Sequence, residues 1–187
     1  MSLNIPVIYG SVRTARLGIR LAKFMVDQLK KRGHQAVLVD QVNFSLPMLD
    51  KRHFEYEAGT APEDMEKLAK IFEEADAYLI VSGEYNHSVQ PSLKNIIDHF
   101  YRGFAKRISA VVTYSSGDFG GVRAESEIRN IMGTVGAPCI QSIMPVSRIE
   151  EAFDEEGKPL DEKYLKRAAK LIDELEWYAE ALKKARK

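Results

Sequence analysis

Residues 77–98 read Ala77-Tyr78-Leu79-Ile80-Val81-Ser82-Gly83-Glu84-Tyr85-Asn86-His87-Ser88-Val89-Gln90-Pro91-Ser92-Leu93-Lys94-Asn95-Ile96-Ile97-Asp98, and their order decides the fold. The unbroken apolar run 77–81 has the pattern of a strand buried on both faces, which is the habit of parallel sheets. Pro91 suits the first position of a helix, because a residue there needs no backbone N–H. Between strand and helix lies a short loop carrying a carboxylate, a phenol, an amide, an imidazole and a hydroxyl. Open α/β sheets bind ligands in loops at the carboxyl ends of their strands. Tyr85 offers a flat ring and Asn86 both a donor and an acceptor, a pairing suited to a planar heterocycle with polar edges. The plainer reading is a polar loop with Asn86 in a turn and Tyr85 partly packed.

The same strand–helix unit recurs along the chain. Apolar strands are expected at 5–9, 36–40, 77–82, 108–114 and 139–144. Helices are expected from Gly18 to Arg32, Glu63 to Glu74, Pro91 to Phe104, Val122 to Thr134 and over 161–185, the last packing on the sheet. Strands that alternate with helices make a parallel sheet, because each right-handed crossover needs one. Five such units predict a doubly wound, flavodoxin-like α/β domain with strand order 2-1-3-4-5, built from residues 1–187 as one unit. Residues 41–62 stand out as a long irregular connection, and long loops often carry function.

In this strand order the loops after strands one, three and four meet at one edge of the sheet. The first, Gly10 to Gly18, ends at a helix N-terminus, where free N–H groups favour an anion. Ser11, Thr14, Arg13 and Arg16 add donors, so a phosphate monoester fits; an ordinary polar turn with two solvated arginines is the alternative. The third, 115–121, holds two serines and three glycines, which let the backbone approach a ligand closely or simply make a mobile loop.

Composition narrows the chemistry. The 187 residues carry 27 basic and 27 acidic side chains, so no bulk attraction to nucleic acid or anionic membrane is expected. Cys139 is the single cysteine, which excludes an intramolecular disulfide and cysteine-ligated zinc or iron–sulfur sites. Histidines 34, 53, 87 and 99 lack ligand-like spacing, so no metal is expected. No apolar stretch approaches the ~20 residues of a membrane span. The N-terminus has no signal-peptide pattern, so a cytoplasmic protein is expected and the Asn-x-Ser matches at Asn43 and Asn86 are read as chance.

Three segments together carry a resemblance. Gly10-Ser11-x-Arg13 after the first strand, Glu84-Tyr85-Asn86-His87-Ser88 after the third, and Pro91-x-Leu93-Lys94-Asn95-x-x-Asp98 behind it resemble the NADPH-dependent FMN reductase family over residues 4–147. That family includes quinone, chromate and azo-dye reductases. The resemblance implies FMN at the sheet's switch point, with NADPH or NADH as electron donor. It puts Ser11 and Arg13 on the phosphate, with Arg16, Leu17 and Gly18 in further contact. It lays Glu84, Tyr85, Asn86 and His87 along the isoalloxazine ring and ribityl chain, and Ser115, Ser116, Gly117 and Gly120 at the pyrimidine end. No side chain is assigned as nucleophile or base, because the flavin N5 carries the chemistry. One departure is plain: the family usually has proline where this chain has Gly83, which leaves the approach to the flavin less rigid.

The resemblance also implies a small acceptor such as a quinone, an azo dye or chromate, and assembly as a homodimer or homotetramer. Phe100, Tyr101, Phe104 and Phe119 are candidates for that interface, since aromatics left over from a core favour interfaces; packing beneath the final helix is the alternative. Two other functions stay open on sequence: an electron carrier without NAD(P)H activity, and a flavin-binding regulatory module.

Overall fold

The computed structural model describes residues 1–186. Five strands, β1 (Val7–Tyr9), β2 (Leu38–Asp40), β3 (Ala77–Gly83), β4 (Ile108–Tyr114) and β5 (Cys139–Val146), form an all-parallel sheet in the order 2-1-3-4-5. The expected fold is therefore the observed one. Helices α1 (Gly18–Lys31) and α7 (Lys163–Ala185) cover one face, and α2 (Glu63–Glu74), α3 (Pro91–His99) and α5 (Val122–Thr134) cover the other.

The period-2 alternation of the strands sorts side chains between these layers. Val7, Tyr9, Leu79, Val81, Ala110, Val112 and Tyr114 face α1 and α7. Ile8, Tyr78, Ile80 and Val111 face α2, α3 and α5. In the central strands β3 and β4 every residue is buried, so their sequences read as unbroken apolar runs.

The strand β5 is an edge and bends at an irregularity between Ser109 and Val111 of its partner. Side chains cover its unpaired backbone. The Glu174 carboxylate accepts from the N–H groups of Gln141 and Ser142, at 2.8 and 3.0 Å. Arg129 donates to the Gln141 carbonyl at 3.1 Å and Arg167 to that of Pro145 at 2.7 Å. An edge closed in this way cannot template pairing with another chain.

Four expectations need adjustment. The helix from Pro91 does not run unbroken to Phe104: it stops at His99, Phe100 leaves helical geometry at φ −121°, and a short α4 (Tyr101–Phe104) follows. Side chains tie α4 to the end of α2. Tyr78 donates to Phe72 and Gly103 carbonyls (2.9 and 2.7 Å), and Arg107 donates to those of Glu73, Ala75 and Gly103 (2.8, 2.6 and 2.7 Å). That bend drives Phe100 and Phe104 into the core beside Phe72 and Tyr78. They are neither interface aromatics nor packed under the final helix.

The loop 41–62 is not loose. Two 3-10 turns shape it, and Phe44, Leu46 and Tyr56 tuck against the core. Asn95 clamps it from α3, accepting from the Leu49 N–H at 2.9 Å and donating to the Pro47 carbonyl at 2.8 Å. The acidic stretch after β5 begins as a short helix, α6 (Ile149–Ala152), which the sequence pattern did not mark. Strands β1 and β2 are shorter than expected, 3 residues each, because the chain around Pro6 pairs only through isolated contacts such as Asn4 with Gln35. No helix among the described residues is long and apolar enough to cross a membrane.

Candidate functional site

The carboxyl ends of β1, β3 and β4 deliver their loops to one concave site of about 180 Å³. It is lined by Ser11, Arg13, Ala15, Arg16 and Leu17 from the first loop, Gly83, Glu84, Tyr85 and Gln90 from the second, and Tyr114, Ser115, Ser116 and Ile149 beyond. Sites that enclose a ligand usually measure ~300–1,000 Å³. A dinucleotide-sized or flavin-sized molecule here would therefore keep one face open to solvent.

The first loop carries unused donors. Among the described residues the backbone N–H groups of Thr14, Ala15 and Leu17 have no hydrogen-bond acceptor, and they lie just before α1. Such N–H groups at a helix start are the elements of an anion site. Ser11 is buried at 2% exposure, and its Oγ accepts from the Arg13 N–H at 3.4 Å. The Arg13 side chain is exposed and makes no ion pair among the described residues, so its guanidinium is available. Arg16 is committed elsewhere. It pairs with Asp40 at the end of β2 and donates to the Ser11 carbonyl at 3.3 Å. The hydrogen bond to Asp40 raises its pKa further, so it stays charged. Arg16 thus shapes the loop from behind while Arg13 points free.

The second loop is a tight reversal. Asn86 and His87 both have left-handed backbones, φ 49° and 65°, and Tyr85 and Ser88 exchange N–H···O bonds at 3.0 and 2.9 Å across them. This is the two-residue turn that demands positive φ twice, which asparagine tolerates best among side-chain residues. Asn86 and His87 are exposed at its tip and do not line the concavity, whereas Glu84 and Tyr85 do. Glu84 caps α5: its carboxylate accepts from the Arg123 N–H at 3.1 Å and pairs with the Arg123 guanidinium at 3.5 Å.

The third loop folds back on the β5–α6 connection. Ser115 N–H donates to the Val146 carbonyl at 3.1 Å, and Ile149 N–H to that of Ser115 at 3.1 Å. Among the described residues the N–H groups of Ser116 and Gly117 have no acceptor. Gly117 and Gly120 do not line the concavity. Gly120, at φ 62°, has the Val146 backbone where its Cβ would stand, 2.9 Å away, so glycine there serves the turn.

Gly18 also serves packing. A Cβ on it would lie 2.0 Å from Cζ of Tyr114. Tyr114 forms the floor of the site, donating its hydroxyl to that of Tyr9 at 3.2 Å and accepting from the Gln90 amide at 3.4 Å. Burial pushes both phenols above the usual tyrosine range, so they remain protonated. Tyr9, Gln90 and Tyr114 were not among the expected site residues. Tyr9 and Tyr114 end their strands, and a tyrosine closing an apolar strand at the ligand edge was the signal available.

A larger cavity, about 330 Å³, lies at the opposite edge of the sheet between His53, Phe54, Phe72, His99 and Phe100. His99 lines it with a buried Nε2 that has no partner. Its lining also includes the Glu73 carboxylate and Arg102, whose guanidinium lies 3.6 Å from the Phe54 ring centre, while Arg107 spends its donors on carbonyls. The carboxyl-edge site is the better candidate for an anionic cofactor, because there the unpaired N–H groups ahead of α1 lie beside Arg13.

Comparison with known proteins identifies the family. Residues 3–151 match the family model described as NADPH-dependent FMN reductase. A quinone reductase from Pseudomonas putida is 28% identical over 163 residues, covering 83% of each protein. A probable NADPH:quinone oxidoreductase from Oryza sativa subsp. japonica is 29% identical, covering 97% of this chain and 94% of the relative. Among solved structures, FerB of Paracoccus denitrificans, a flavoenzyme NAD(P)H:(acceptor) oxidoreductase, superposes with a TM-score of 0.79 at 26% identity, over 96% of this chain and 98% of that one. A Pseudomonas aeruginosa flavodoxin shares the fold, with a TM-score of 0.58 at 14% identity over 96% of this chain and 98% of its own. With its five-stranded 2-1-3-4-5 sheet and the family match across most of its length, the chain belongs to the NADPH-dependent FMN reductase family, enzymes that use FMN and NAD(P)H.

Proposed function

We propose that this enzyme passes electrons from NAD(P)H to a small quinone through FMN held by the three loops at the carboxyl edge of the sheet. The observation that carries the assignment of the site is the row of unpaired N–H groups at Thr14, Ala15 and Leu17 beside the free Arg13, a cradle for a phosphate monoester.

The residues fit the rest of that cofactor. The redox chemistry is what FMN supplies when bound, as an acceptor of hydride and a donor of electrons. Tyr85 and Tyr114 offer apolar surface for a ring, and Ser11 offers a hydroxyl. The Ser116 N–H, unpaired and at the lining, would donate to a pyrimidine oxygen and stabilise negative charge that develops there. Arg16, Gly18, Asn86, His87, Gly117 and Gly120 contribute mainly by shaping these loops.

A quinone suits the open face. Phe119 stands 64% exposed at the rim, with the Arg123 guanidinium 4.6 Å from its ring centre. A flat ring stacks on such a platform, and the cation attracts carbonyl oxygens. Azo dyes share the flat shape, whereas chromate would use the arginine alone. Steady-state NADPH oxidation with a benzoquinone, an azo dye and chromate tests this order; a rate with chromate above that with the quinone would overturn it. An electron carrier would dock through a one-signed charge patch, and the 27 basic and 27 acidic groups balance.

We also propose that the enzyme works in the cytoplasm as a homodimer or homotetramer. The exposed aromatics Tyr101, Trp177 and Tyr178, the last two on α7, are the surfaces for assembly. Light scattering that gives 21.1 kDa with FMN present would refute assembly.

A further inference from the structure

We infer that Gln90 is a positioning residue that locks the loop 83–88 against the floor of the cofactor site, doing with a buried amide what a proline ring at residue 83 would do with a fixed torsion. The inference rests on the FMN reading of that site.

Gln90 precedes α3 and is 1% exposed. Its Oε1 accepts from the Gly83 N–H at 3.1 Å, and its Nε2 donates to the Tyr114 hydroxyl at 3.4 Å. That hydroxyl donates in turn to Tyr9 at 3.2 Å. One amide therefore ties together the ends of β1, β3 and β4, the three strands whose loops build the site. It also closes residues 83–90 into a ring across the turn at Asn86–His87.

The glycines around it show how tightly it is held. A Cβ on Gly10 would stand 2.6 Å from Gln90 Oε1 and one on Gly83 3.0 Å from Gln90 Nε2. Glycine at 83 thus supplies two things that proline cannot: an N–H to donate and room for the amide. The glycine at 83 and the burial of Gln90 are two parts of one device. A proline holds φ without help from neighbours. An amide lock holds the loop only while its partners stay in register, so loop position is coupled to Tyr114 and, through it, to the phosphate loop.

The test uses the full-length protein and the variants Gln90→Met, Tyr114→Phe, Gly83→Pro and Gly83→Pro/Gln90→Ala. In the apo protein, the Gly83 amide should be protected from hydrogen exchange and should exchange at least about tenfold faster in Gln90→Met, as for loss of a buried hydrogen bond. A Gly83 amide already unprotected in the wild type would overturn the lock whatever the cofactor does. With FMN, Gln90→Met should weaken binding about tenfold or more and shift the flavin midpoint potential, and Tyr114→Phe should do the same to a smaller degree. Gly83→Pro should weaken FMN binding at least as much as Gln90→Met, since it removes the N–H that Gln90 accepts and sets a Cβ 3.0 Å from Gln90 and 3.1 Å from the Tyr114 ring. The double variant should bind no worse than Gly83→Pro, because the bond between residues 83 and 90 is already lost. FMN binding unchanged in Gly83→Pro would overturn the lock. An FMN dissociation constant and midpoint potential unchanged in Gln90→Met would overturn the positioning role, even if its melting temperature falls. Failure of the wild type itself to bind FMN would instead overturn the cofactor reading, and the positioning role with it.

Discussion

Gly18→Ala should destabilise this protein, although glycine at a helical position is ordinarily improved by alanine. At an unobstructed site the exchange gains about 0.4–1 kcal/mol, through lower entropy of the unfolded chain and better helix propensity. Here the new Cβ would fall 2.0, 2.3 and 2.5 Å from Cζ, Cε1 and Cε2 of Tyr114. Contact distance between carbon atoms is about 3.5–4.0 Å, so the ring must retreat by roughly 1.5 Å. It has two ways to do so. It can press toward Tyr9, whose ring centre is 6.3 Å away, at the ~1–3 kcal/mol typical of overpacking. Or it can swing into the concavity, giving up its bonds to Tyr9 and Gln90 at ~0.5–1.5 kcal/mol each. Set against the gain, the net loss is about 0.5–2 kcal/mol, or a fall of roughly 1–8 °C in Tm for a chain of this size. Thermal or urea unfolding of the apo protein reads it. FMN affinity should fall as well, because either retreat disturbs the floor of the site. In a Tyr114→Ala background the same Gly18→Ala change should revert to a gain of about 0.4–1 kcal/mol, which a double-mutant cycle isolates. A rise in melting temperature on Gly18→Ala in the otherwise native chain would refute the reasoning.

Arg13→Ala should weaken FMN by about 1.5–3 kcal/mol, the value of a charged hydrogen bond, without altering apo stability; an unchanged dissociation constant at low salt would exclude its phosphate role. Asn86→Gly keeps the left-handed turn while deleting the side chain, so stability should stay within about 0.5 kcal/mol in chemical unfolding, whereas Asn86→Val should cost about 1–2 kcal/mol. A flavin spectrum that moves in Asn86→Gly would show that the amide reaches the ring despite its exposed position. Burial raises the pKa of the Cys139 thiol, so thiolate is scarcer than in a free cysteine near neutrality. Iodoacetamide should therefore modify it more slowly than a model thiol at pH 8 and accelerate beyond the usual thiol range; alkylation at the model rate would contradict this. Glu174→Ala frees the N–H groups of Gln141 and Ser142 on the β5 edge and should lower stability by about 0.5–1.5 kcal/mol, measured by urea unfolding.

The fold was legible because the strands are mostly apolar, β3 and β4 being wholly buried, and the helices that join them carry clear apolar stripes. The bounds of α2, β4 and α5 fall where periodicity places them. What escaped depends on contacts distant in sequence. The break at Phe100 was not marked by any local pattern, and the bonds by which Tyr78 and Arg107 tie α4 to the end of α2 join residues distant in sequence. The loops of the site were legible as loops, since polar residues after buried strands mark the ligand edge. Their internal division of labour was not. Asn95 and the Lys94–Asp98 pair, prominent in the motif behind the second loop, hold the chain 41–62 and the helix itself. Asn86 and His87 make a turn, while the buried Gln90, Tyr114 and Tyr9 reach the site through a hydrogen-bonded chain that spans residues 9 to 114.

The central claim is that FMN sits on the loops after β1, β3 and β4, and a crystal structure of the protein soaked with FMN tests it most directly. The phosphate should lie within hydrogen-bond distance of the Thr14, Ala15 and Leu17 N–H groups and Arg13, with the ring against Tyr85 and its pyrimidine edge toward Ser116. Flavin density in the cavity between His53 and His99, or a ring lying away from all three loops, would contradict it.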